Sequence, residues 1–267
     1  MLESETDGAE VGVSGLLVVD IGNTRTRFGL WEDGGVEGVS AVATESIAGP
    51  AEVASQVATL SGAPGGHGLS LALCSVVPRA EAAWLAWQRK QGGRALAIRG
   101  DTPTPLDNCY DDPQALGPDR LAAAVGAVRR LGAPVIVVSL GTATVVDAVS
   151  EEAEFLGGAI VAGVQTGLTA LAERTAALPQ VTVEAPERTI GRDTEECLSI
   201  GAVVGTAALV EGLAARLRDI VGDSAPLALT GGYAELISEH IWIEHEMLPS
   251  LTLEGIATIW EHNRGRA

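Results

Sequence analysis

One short motif occurs twice in this chain of 267 residues, near its start and again about half a chain later. The copies share an aliphatic run, a glycine and hydroxyl or amide side chains: Val-Val-Asp20-Ile-Gly22-Asn23-Thr24 and Val-Val-Ser139-Leu-Gly141-Thr142-Ala-Thr144. The aliphatic run is typical of a buried strand, and the glycine permits a tight turn that brings backbone amides near an anion. The repeat predicts two phosphate loops on a duplicated domain that closes over a nucleotide. Two ordinary hairpin turns are the alternative.

The side chains of the first loop suit a metal–nucleotide complex. Asp20 ends the strand with a carboxylate that can hold hydrated Mg²⁺ or another divalent ion, and Asn23 and Thr24 would lie beside the phosphates. The residues predicted to bind the nucleotide are Asp20, Ile21, Gly22, Asn23, Thr24, Arg25, Thr26, Arg27 and, in the second loop, Thr142.

Length and composition indicate a two-domain globular chain. Hydrophobic residues make up 46% of the sequence, with 33 glycines and few aromatic residues, so small side chains must pack closely. The length predicts domains at 16–132 and 133–267, separated at the break Gly132-Ala133-Pro134. Residues 1–15 are acidic and lack the basic start and apolar core of a signal peptide, and they are predicted to form a disordered extension.

Charge and cysteine content limit the partners and the compartment. The formal net charge of −18 argues against nucleic acid or an anionic membrane as a partner, because both are bound through basic patches. No apolar run is expected to reach the length of a membrane span. Cys74, Cys109 and Cys197 form no Cys-x-x-Cys motif, which predicts buried, reduced thiols and a cytoplasmic location.

Strands and helices alternate along the sequence. Strands are predicted at 16–19, 26–32, 36–44, 69–77, 94–98, 135–140, 143–149, 154–161 and 227–229. Helices are predicted at 51–60, 78–91, 119–131, 166–175, 193–219 and 233–238, before a final strand and helix. A strand follows the first loop and Gly-x-Gly-x-x-Gly is absent, so the pattern is not a Rossmann fold. The absence of Gly-x-x-x-x-Gly-Lys-Ser/Thr also excludes the P-loop class.

The order of elements resembles the superfamily of acetate and sugar kinases, Hsp70 and actin, with its duplicated ribonuclease-H-like domains. Thr230-Gly231-Gly232 matches the Gly-Gly turn on the adenosine side of that superfamily. Within it, five motifs are similar in order and spacing to type III pantothenate kinase: Asp20-Ile-Gly-Asn-Thr24, Gly117-Pro118-Asp119-Arg120, Gly141-Thr-Ala-Thr144, Leu156-Gly-Gly-Ala-Ile160 and Ile190-Gly-Arg-Asp-Thr194. The resemblance covers residues 16 to about 240.

That family phosphorylates pantothenate with ATP, the first committed step of coenzyme A synthesis, and is related to the Bvg accessory factors. The resemblance implies an α/β fold with the nucleotide in the cleft between the two domains, a homodimer, a divalent metal and a monovalent cation. Two other functions stay open. One is a kinase of another small alcohol, and the other is a nucleotide-binding regulator without turnover.

The resemblance also assigns roles to the segment Gly117-Pro118-Asp119-Arg120, which is expected to bind the substrate. Asp119 is implied as the catalytic residue that accepts the proton of the substrate hydroxyl. From the residues alone, it could instead be a helix N-cap. Arg120 would hold the carboxylate of pantothenate or the transferring phosphate, or it would pair with a surface carboxylate.

Two more substrate-binding residues follow from the resemblance. Tyr110 matches a substrate-contacting tyrosine, with a packed loop anchor as the alternative. Thr194 is implied to reach the substrate across the dimer and could also cap the long helix that it begins. The alanine-rich face of the 119–131 helix is a candidate dimer contact, with domain core as the alternative.

One position departs from the family. The second loop there begins with an aspartate that holds the monovalent cation, K⁺ or NH₄⁺, whereas this chain has Ser139. A hydroxyl is neutral and a weaker cation ligand than a carboxylate. The enzyme could therefore work without the cation, bind it through carbonyls and other ligands, or be a degenerate paralogue. Retention of the other motif residues favours a working kinase.

Overall fold

The first half of the chain folds around a five-stranded sheet. The computed structural model describes residues 15–60 and 68–264, so the predicted extension lies outside the described residues except for residue 15. The elements are β1 (Leu16–Ile21), β2 (Arg25–Glu32), β3 (Gly35–Ala43), α1 (Pro50–Val57), β4 (Ser70–Ser75), α2 (Pro78–Gln91) and β5 (Ala95–Ile98). The strand order is β3-β2-β1-β4-β5, with β2 antiparallel and β4 parallel to β1.

The second sheet repeats this order. Its elements are β6 (Asp107–Asn108), α3 (Pro118–Leu131), β7 (Val135–Leu140), β8 (Ala143–Val149), β9 (Glu154–Ala162), α4 (Val164–Arg174), α5 (Thr194–Val221), β10 (Leu227–Thr230), α6 (Ala234–Ser238), β11 (Glu246–Met247) and α7 (Leu251–Asn263). The strand order is β11-β10-β7-β8-β9-β6. Read from β9 to β11, it matches the first sheet strand for strand, which confirms the predicted duplication. Only β6 is additional, at two residues where no strand was predicted.

Alternation along the central strands decides which side chains face the site. Leu17 and Val19 of β1 pack on the side of α1 and α2, whereas Leu16 and Val18 pack toward α3 and α7 between the two sheets. Because successive side chains of a strand point to opposite faces, Asp20 shares the face of Val18. In β7, Val135 and Val137 lie in the same central cluster, so Ser139 faces α3 as well.

The alanine-rich face of α3 is core, so the expectation that it forms a dimer contact was wrong. Ala122, Ala123, Ala124 and Ala127 are at most 2% exposed. They pack against α7, where Gly255 lies so close to Ala122 that a Cβ on the glycine would collide with the alanine carbonyl. Small side chains do allow a close helix approach here, but the partner helix belongs to the same chain.

The domain division at residue 132 stays a prediction. Strands β1 to β5 precede it and β7 to β11 follow it, but β6 pairs with β9 of the second sheet. The C-terminal helix α7 in turn contacts β1, β2 and β4 of the first sheet. The last helix of the chain therefore packs against the sheet that the first half of the chain forms.

Helix α5 contradicts the expectation that no segment reaches the length of a membrane span. It has 28 residues, and an 18-residue stretch within it has a mean hydropathy of 1.8. By length and composition alone, this helix could cross a membrane. Only 22% of that stretch is buried, because one face packs on the second sheet and the other carries exposed small residues. The predicted absence of a membrane partner remains a prediction.

The cysteines differ from the expectation of buried thiols. Cys74 on β4 is fully buried, but Cys109 and Cys197 are exposed. Cys109 follows the short edge strand β6, and Cys197 lies on the exposed face of α5. Neither position could be recognised as surface from residue type, since cysteine usually packs as a small hydrophobic residue.

Candidate active site

The two repeated loops meet at the junction of the sheets. The Thr24 hydroxyl lies 3.0 Å from the Thr142 hydroxyl, and both residues are exposed. Each turn is closed by one backbone hydrogen bond, in which Gly22 N–H donates to the Arg25 carbonyl and Gly141 N–H to the Ala143 carbonyl, both at 3.0 Å. The loops that the sequence predicted separately thus form one surface.

Of the other residues of the first loop, some are buried in the core and others are exposed to solvent. Ile21 is 1% exposed and packs in the core, and Thr26 is fully buried with its hydroxyl 3.0 Å from that of Thr44. Any contact of these two residues with a nucleotide would come from the backbone. Asn23 and Arg25 are exposed at the loop, where their side chains are free to reach a ligand.

The Asp20 carboxylate lies in a setting that disfavours its charge. Burial, followed by the negative charge of Asp119, raises the pKa of Asp20 to about 6, while the Cys74 thiol and Arg27 act in the opposite direction. Cys74 is the register partner of Asp20 on β4, and its thiol donates to Asp20 Oδ1 at 3.3 Å. A buried carboxylate with a raised pKa suits a group that a bound cation neutralises.

Asp119 lies in the first turn of α3, and Gly117 rather than Asp119 is the N-cap residue. A Cβ on Gly117 would lie 2.7 Å from Asp119 Oδ1, so the glycine makes room for this carboxylate. Burial raises the pKa of both Asp20 and Asp147, and the charge of Asp119 acts in the same direction on each. The structure therefore places Asp119 within electrostatic reach of the divalent-ion candidate and of a third carboxylate.

Arg120 is buried and forms an ion pair with that third carboxylate. Its Nε donates to Asp147 Oδ2 at 3.1 Å and its Nη2 to Asp147 Oδ1 at 2.5 Å. Its Nη1 donates to the Tyr110 hydroxyl at 2.5 Å. The carboxylate partner is buried, so the alternative of a surface carboxylate partner for Arg120 was wrong.

Tyr110 packs against Phe155 and also accepts the hydrogen bond from Arg120. Its ring lies 5.9 Å from the Phe155 ring, and both rings lie over the Arg120 guanidinium at 5.4 and 5.7 Å. Gly157 has a φ of +102°, and a Cβ there would lie 3.3 Å from Tyr110 Cε2. Gly157 of β9 thus leaves room for the tyrosine ring.

Sequence reasoning missed Asp147, Cys74 and Thr44. A signal for Asp147 was present, because an aspartate inside the apolar strand Val145-Val146-Asp147-Ala148-Val149 must be paired if it is buried. Cys74 and Thr44 carried no such signal, since only the strand register brings them to Asp20 and the first loop.

Thr194 lies apart from this cluster in the described chain. It is the first residue of α5 and exposed, and the N-cap is Asp193, whose carboxylate accepts from Glu196 N–H at 2.9 Å. The expectation that Thr194 caps the helix was wrong by one residue. None of the described hydrogen bonds joins Thr194 to Asp119, Arg120 or Tyr110.

Comparison with known proteins assigns the family. Residues 16–216, more than half of the chain, match the profile described as type III pantothenate kinase. A protein named type III pantothenate kinase from Thermomicrobium roseum is 38% identical over 251 residues, covering 92% of this chain and 96% of the relative. The chain belongs to the type III pantothenate kinase family.

Solved structures support the fold of this type III pantothenate kinase family member. A Campylobacter jejuni protein described as a Baf family transcriptional activator superposes with a TM-score of 0.59 at 18% identity, covering 93% of this chain and 98% of that one. A ROK family glucokinase from Streptomyces griseus gives 0.50 at 16% identity, covering 91% and 98%. These likenesses concern the fold alone.

Membership of this kinase family implies ATP with a divalent metal ion. Within the described residues there is no group of three or more histidine, cysteine or acidic side chains that could hold a metal by itself. Mg²⁺ usually keeps several waters and binds through one or two carboxylates plus the phosphates of the substrate. The half-buried carboxylate of Asp20, at the start of the first loop, fits that mode.

Proposed function

We propose that this protein transfers the γ-phosphoryl group of ATP to the hydroxyl of pantothenate, the reaction for which its family is named. The observation that carries the proposal is the 3.0 Å approach of the Thr24 and Thr142 hydroxyls, together with the electrostatic interaction between the carboxylates of Asp20 and Asp119. Two phosphate loops and two carboxylates at one junction are what an alcohol kinase needs, because catalysis there is mainly alignment and charge neutralisation.

The loops and Asp20 are assigned to ATP. Backbone amides and the side chains of Asn23, Thr24 and Thr142 would hold the phosphates. Asp20 would hold the divalent ion, which neutralises phosphate charge when bound. Arg27, the register partner of Asp20 on β2, adds a positive charge beside it. The remaining ATP-binding assignments in the first loop stay predictions.

The first turn of α3 is assigned to the alcohol. Asp119 would accept the proton of the attacking hydroxyl, a role for which it needs only hydrogen-bond reach of the substrate. Gly117 and Pro118 would shape the approach, because the glycine leaves space that a side chain would fill. Tyr110 and Arg120 would face the carboxylate end of pantothenate.

The residues present do not fit the monovalent cation site of the family. Ser139 pairs in register with Thr230 and Val145, and neither partner has a charge. Asp147 lies two residues after Val145 on β8 and on the same face of the sheet as Ser139. Both of its carboxylate oxygens, however, accept hydrogen bonds from Arg120. We therefore assign no step of the reaction to K⁺ or NH₄⁺.

A homodimer is part of the proposal, with α5 as the contact. One face of α5 is buried and consists of Val203, Ala207, Val210 and Ala214. The opposite face carries exposed small residues: Cys197, Gly201, Gly205, Ala208 and Ala215. Ile160 on β9 is 61% exposed. A second copy would cover this apolar surface and could bring its own Thr194 to the substrate.

The assay is ADP formation by the purified protein with Mg²⁺ and ATP, with and without pantothenate, with the product identified by mass spectrometry. Pantothenate-dependent ADP and a phosphorylated product are expected. Turnover with a sugar or short hydroxy acid instead would indicate another alcohol kinase. ATP binding without turnover on any acceptor would indicate a regulator. A cytoplasmic location, where ATP is available, belongs to the same proposal.

A further inference from the structure

The Arg120 guanidinium is held from three sides. The Asp147 carboxylate accepts from Nε and Nη2 in a bidentate ion pair, and the Tyr110 hydroxyl accepts from Nη1. The rings of Tyr110 and Phe155 cover it from positions 5.4 and 5.7 Å from the ring centroids. With Arg120 8% and Asp147 3% exposed, this arrangement has little freedom to rotate.

The same contacts decide which donors are left for a ligand. Three N–H groups are used by Asp147 and Tyr110, so one N–H remains on each terminal nitrogen of Arg120. The Tyr110 hydroxyl accepts from Arg120, so its own proton is free to donate. The two residues together present neighbouring N–H and O–H donors, which suit the two oxygens of a carboxylate.

The space for this arrangement is built into β9. A Cβ on Gly158 would lie 2.7 Å from Asp147 Oδ1 and would also collide with the Val146 carbonyl. Gly157 similarly makes room for the Tyr110 ring. The two glycines therefore serve the Asp147–Arg120–Tyr110 cluster, a use that the sequence motif alone does not reveal.

We propose that Asp147 is a positioning residue that fixes the Arg120 fork, so that Arg120 and the Tyr110 hydroxyl select an alcohol substrate that carries a carboxylate. This inference rests on the proposed function and adds the basis of substrate selectivity. Asp147 neutralises Arg120, so the cluster selects through fixed donor geometry rather than through a free positive charge. Asp147 itself does not touch the substrate.

The test compares pantothenate with its primary-amide analogue, in which the carboxylate is replaced. In the wild type, kcat/KM should be at least about tenfold higher for the acid, the worth of one charge-assisted hydrogen bond. Asp147→Asn should raise the KM for pantothenate with a smaller change in kcat and should abolish most of the preference for the acid. The ratio is measured on one preparation, so a reduced folded fraction cancels.

Two further variants separate positioning from a purely structural role. Arg120→Lys keeps the charge but loses the fork, and it should abolish the preference as well, which keeps the proposal testable if Asp147→Asn does not fold. Glu254→Gln breaks the Arg130–Glu254 ion pair between α3 and α7 and should leave the ratio unchanged. An unchanged acid-to-amide ratio in Asp147→Asn or in Arg120→Lys would overturn the proposal.

A readout without turnover distinguishes this inference from the proposed function. If the wild type does not phosphorylate pantothenate, the proposed function fails, and the ¹⁵N-detected Nε–H resonance of Arg120 still tests the positioning role. Slow solvent exchange of that proton in the wild type and fast exchange in Asp147→Asn are expected. Equal exchange in the two proteins would show that Asp147 does not hold Arg120.

Discussion

The hydroxyls of Thr24 and Thr142 lie 3.0 Å apart, although 118 positions separate them in the sequence. Thr24 follows β1, the central strand of the first sheet, and Thr142 follows β7, the central strand of the second. The two copies of the loop therefore face one another across the junction of the sheets. This relationship joins two weak sequence signals in one surface, the one proposed to bind the phosphates of ATP.

Asp119→Asn should slow phosphorylation of pantothenate by about a hundredfold to ten-thousandfold, the usual contribution of a general base. The fold and ATP binding should change little, because Asp119 caps no helix and forms no described ion pair. Steady-state kinetics with calorimetry of ATP binding checks this. Asp111→Asn, in the exposed part of the preceding loop, is the matched control. Near-wild-type turnover of Asp119→Asn would contradict the base assignment.

Asp20→Asn should weaken the use of Mg²⁺. The concentration of Mg²⁺ for half-maximal activity at saturating ATP should rise about tenfold or more, as is common when metal-site interactions are lost. Cys74→Ser is the control, since a serine hydroxyl can still donate to Asp20 Oδ1. Identical Mg²⁺ titrations for Asp20→Asn and the wild type would remove Asp20 from the metal site.

Asp20 should also make the stability of the metal-free protein depend on pH. Its pKa is raised from 3.8 to about 6, so the folded state favours the protonated carboxyl. The stabilising contribution is complete below about pH 4 and is lost as the pH rises through 6. Above pH 7, Asp20→Asn should therefore be more stable than the wild type by on the order of 1–3 kcal/mol.

Urea unfolding at about pH 4, 5.5 and 7.5 checks the pH dependence, on the logic of proton linkage. The difference in unfolding free energy between the two proteins should grow with pH. The exposed Asp223→Asn serves as the control and should show no such trend. A difference that is constant with pH would mean that Asp20 has an ordinary pKa in the folded protein.

Gly205→Leu should convert the proposed homodimer to a monomer. A Cβ at Gly205 meets no atom within 4 Å, so the single subunit can accept the larger side chain, whereas a second helix packed there could not. Gly205→Ala is the control, because alanine is small and a better helix former than glycine. Sedimentation velocity with activity at the same concentration is the measurement. A wild-type monomer with full activity would exclude a shared substrate site.

Turnover should depend little on K⁺ or NH₄⁺, and Ser139→Asp should create or strengthen that dependence. A carboxylate beside the phosphate loop adds a negative charge that is tolerable only when a cation neutralises it. Rates in sodium, potassium and ammonium buffers of equal ionic strength compare the wild type with the variant. Strong potassium activation of the wild type would show that other ligands hold the ion. No turnover in any salt would favour the degenerate paralogue.

Local pattern alone was enough to predict the repeated loops and the alternation of strands and helices along the chain, and the resemblance of five short motifs predicted the family. Apolar runs ended by Asp20 and Ser139 and the glycines after them are short-range signals, because burial and turn geometry act on neighbouring residues. The same signals predicted helix 119–131 and placed Asp119 and Arg120 in its first turn. They did not say what the helix packs against.

Only the tertiary structure decided the partners of these residues. Strand register put Cys74 beside Asp20, the buried strand β8 supplied Asp147 to Arg120, and the close approach of Gly255 to Ala122 made the alanine face of α3 a core contact. Each contact joins segments far apart in the sequence, and its energy depends on burial and packing that no local pattern contains. The sequence determined which groups the site can use, and the packing of two sheets around α3 and α7 determined which of them meet.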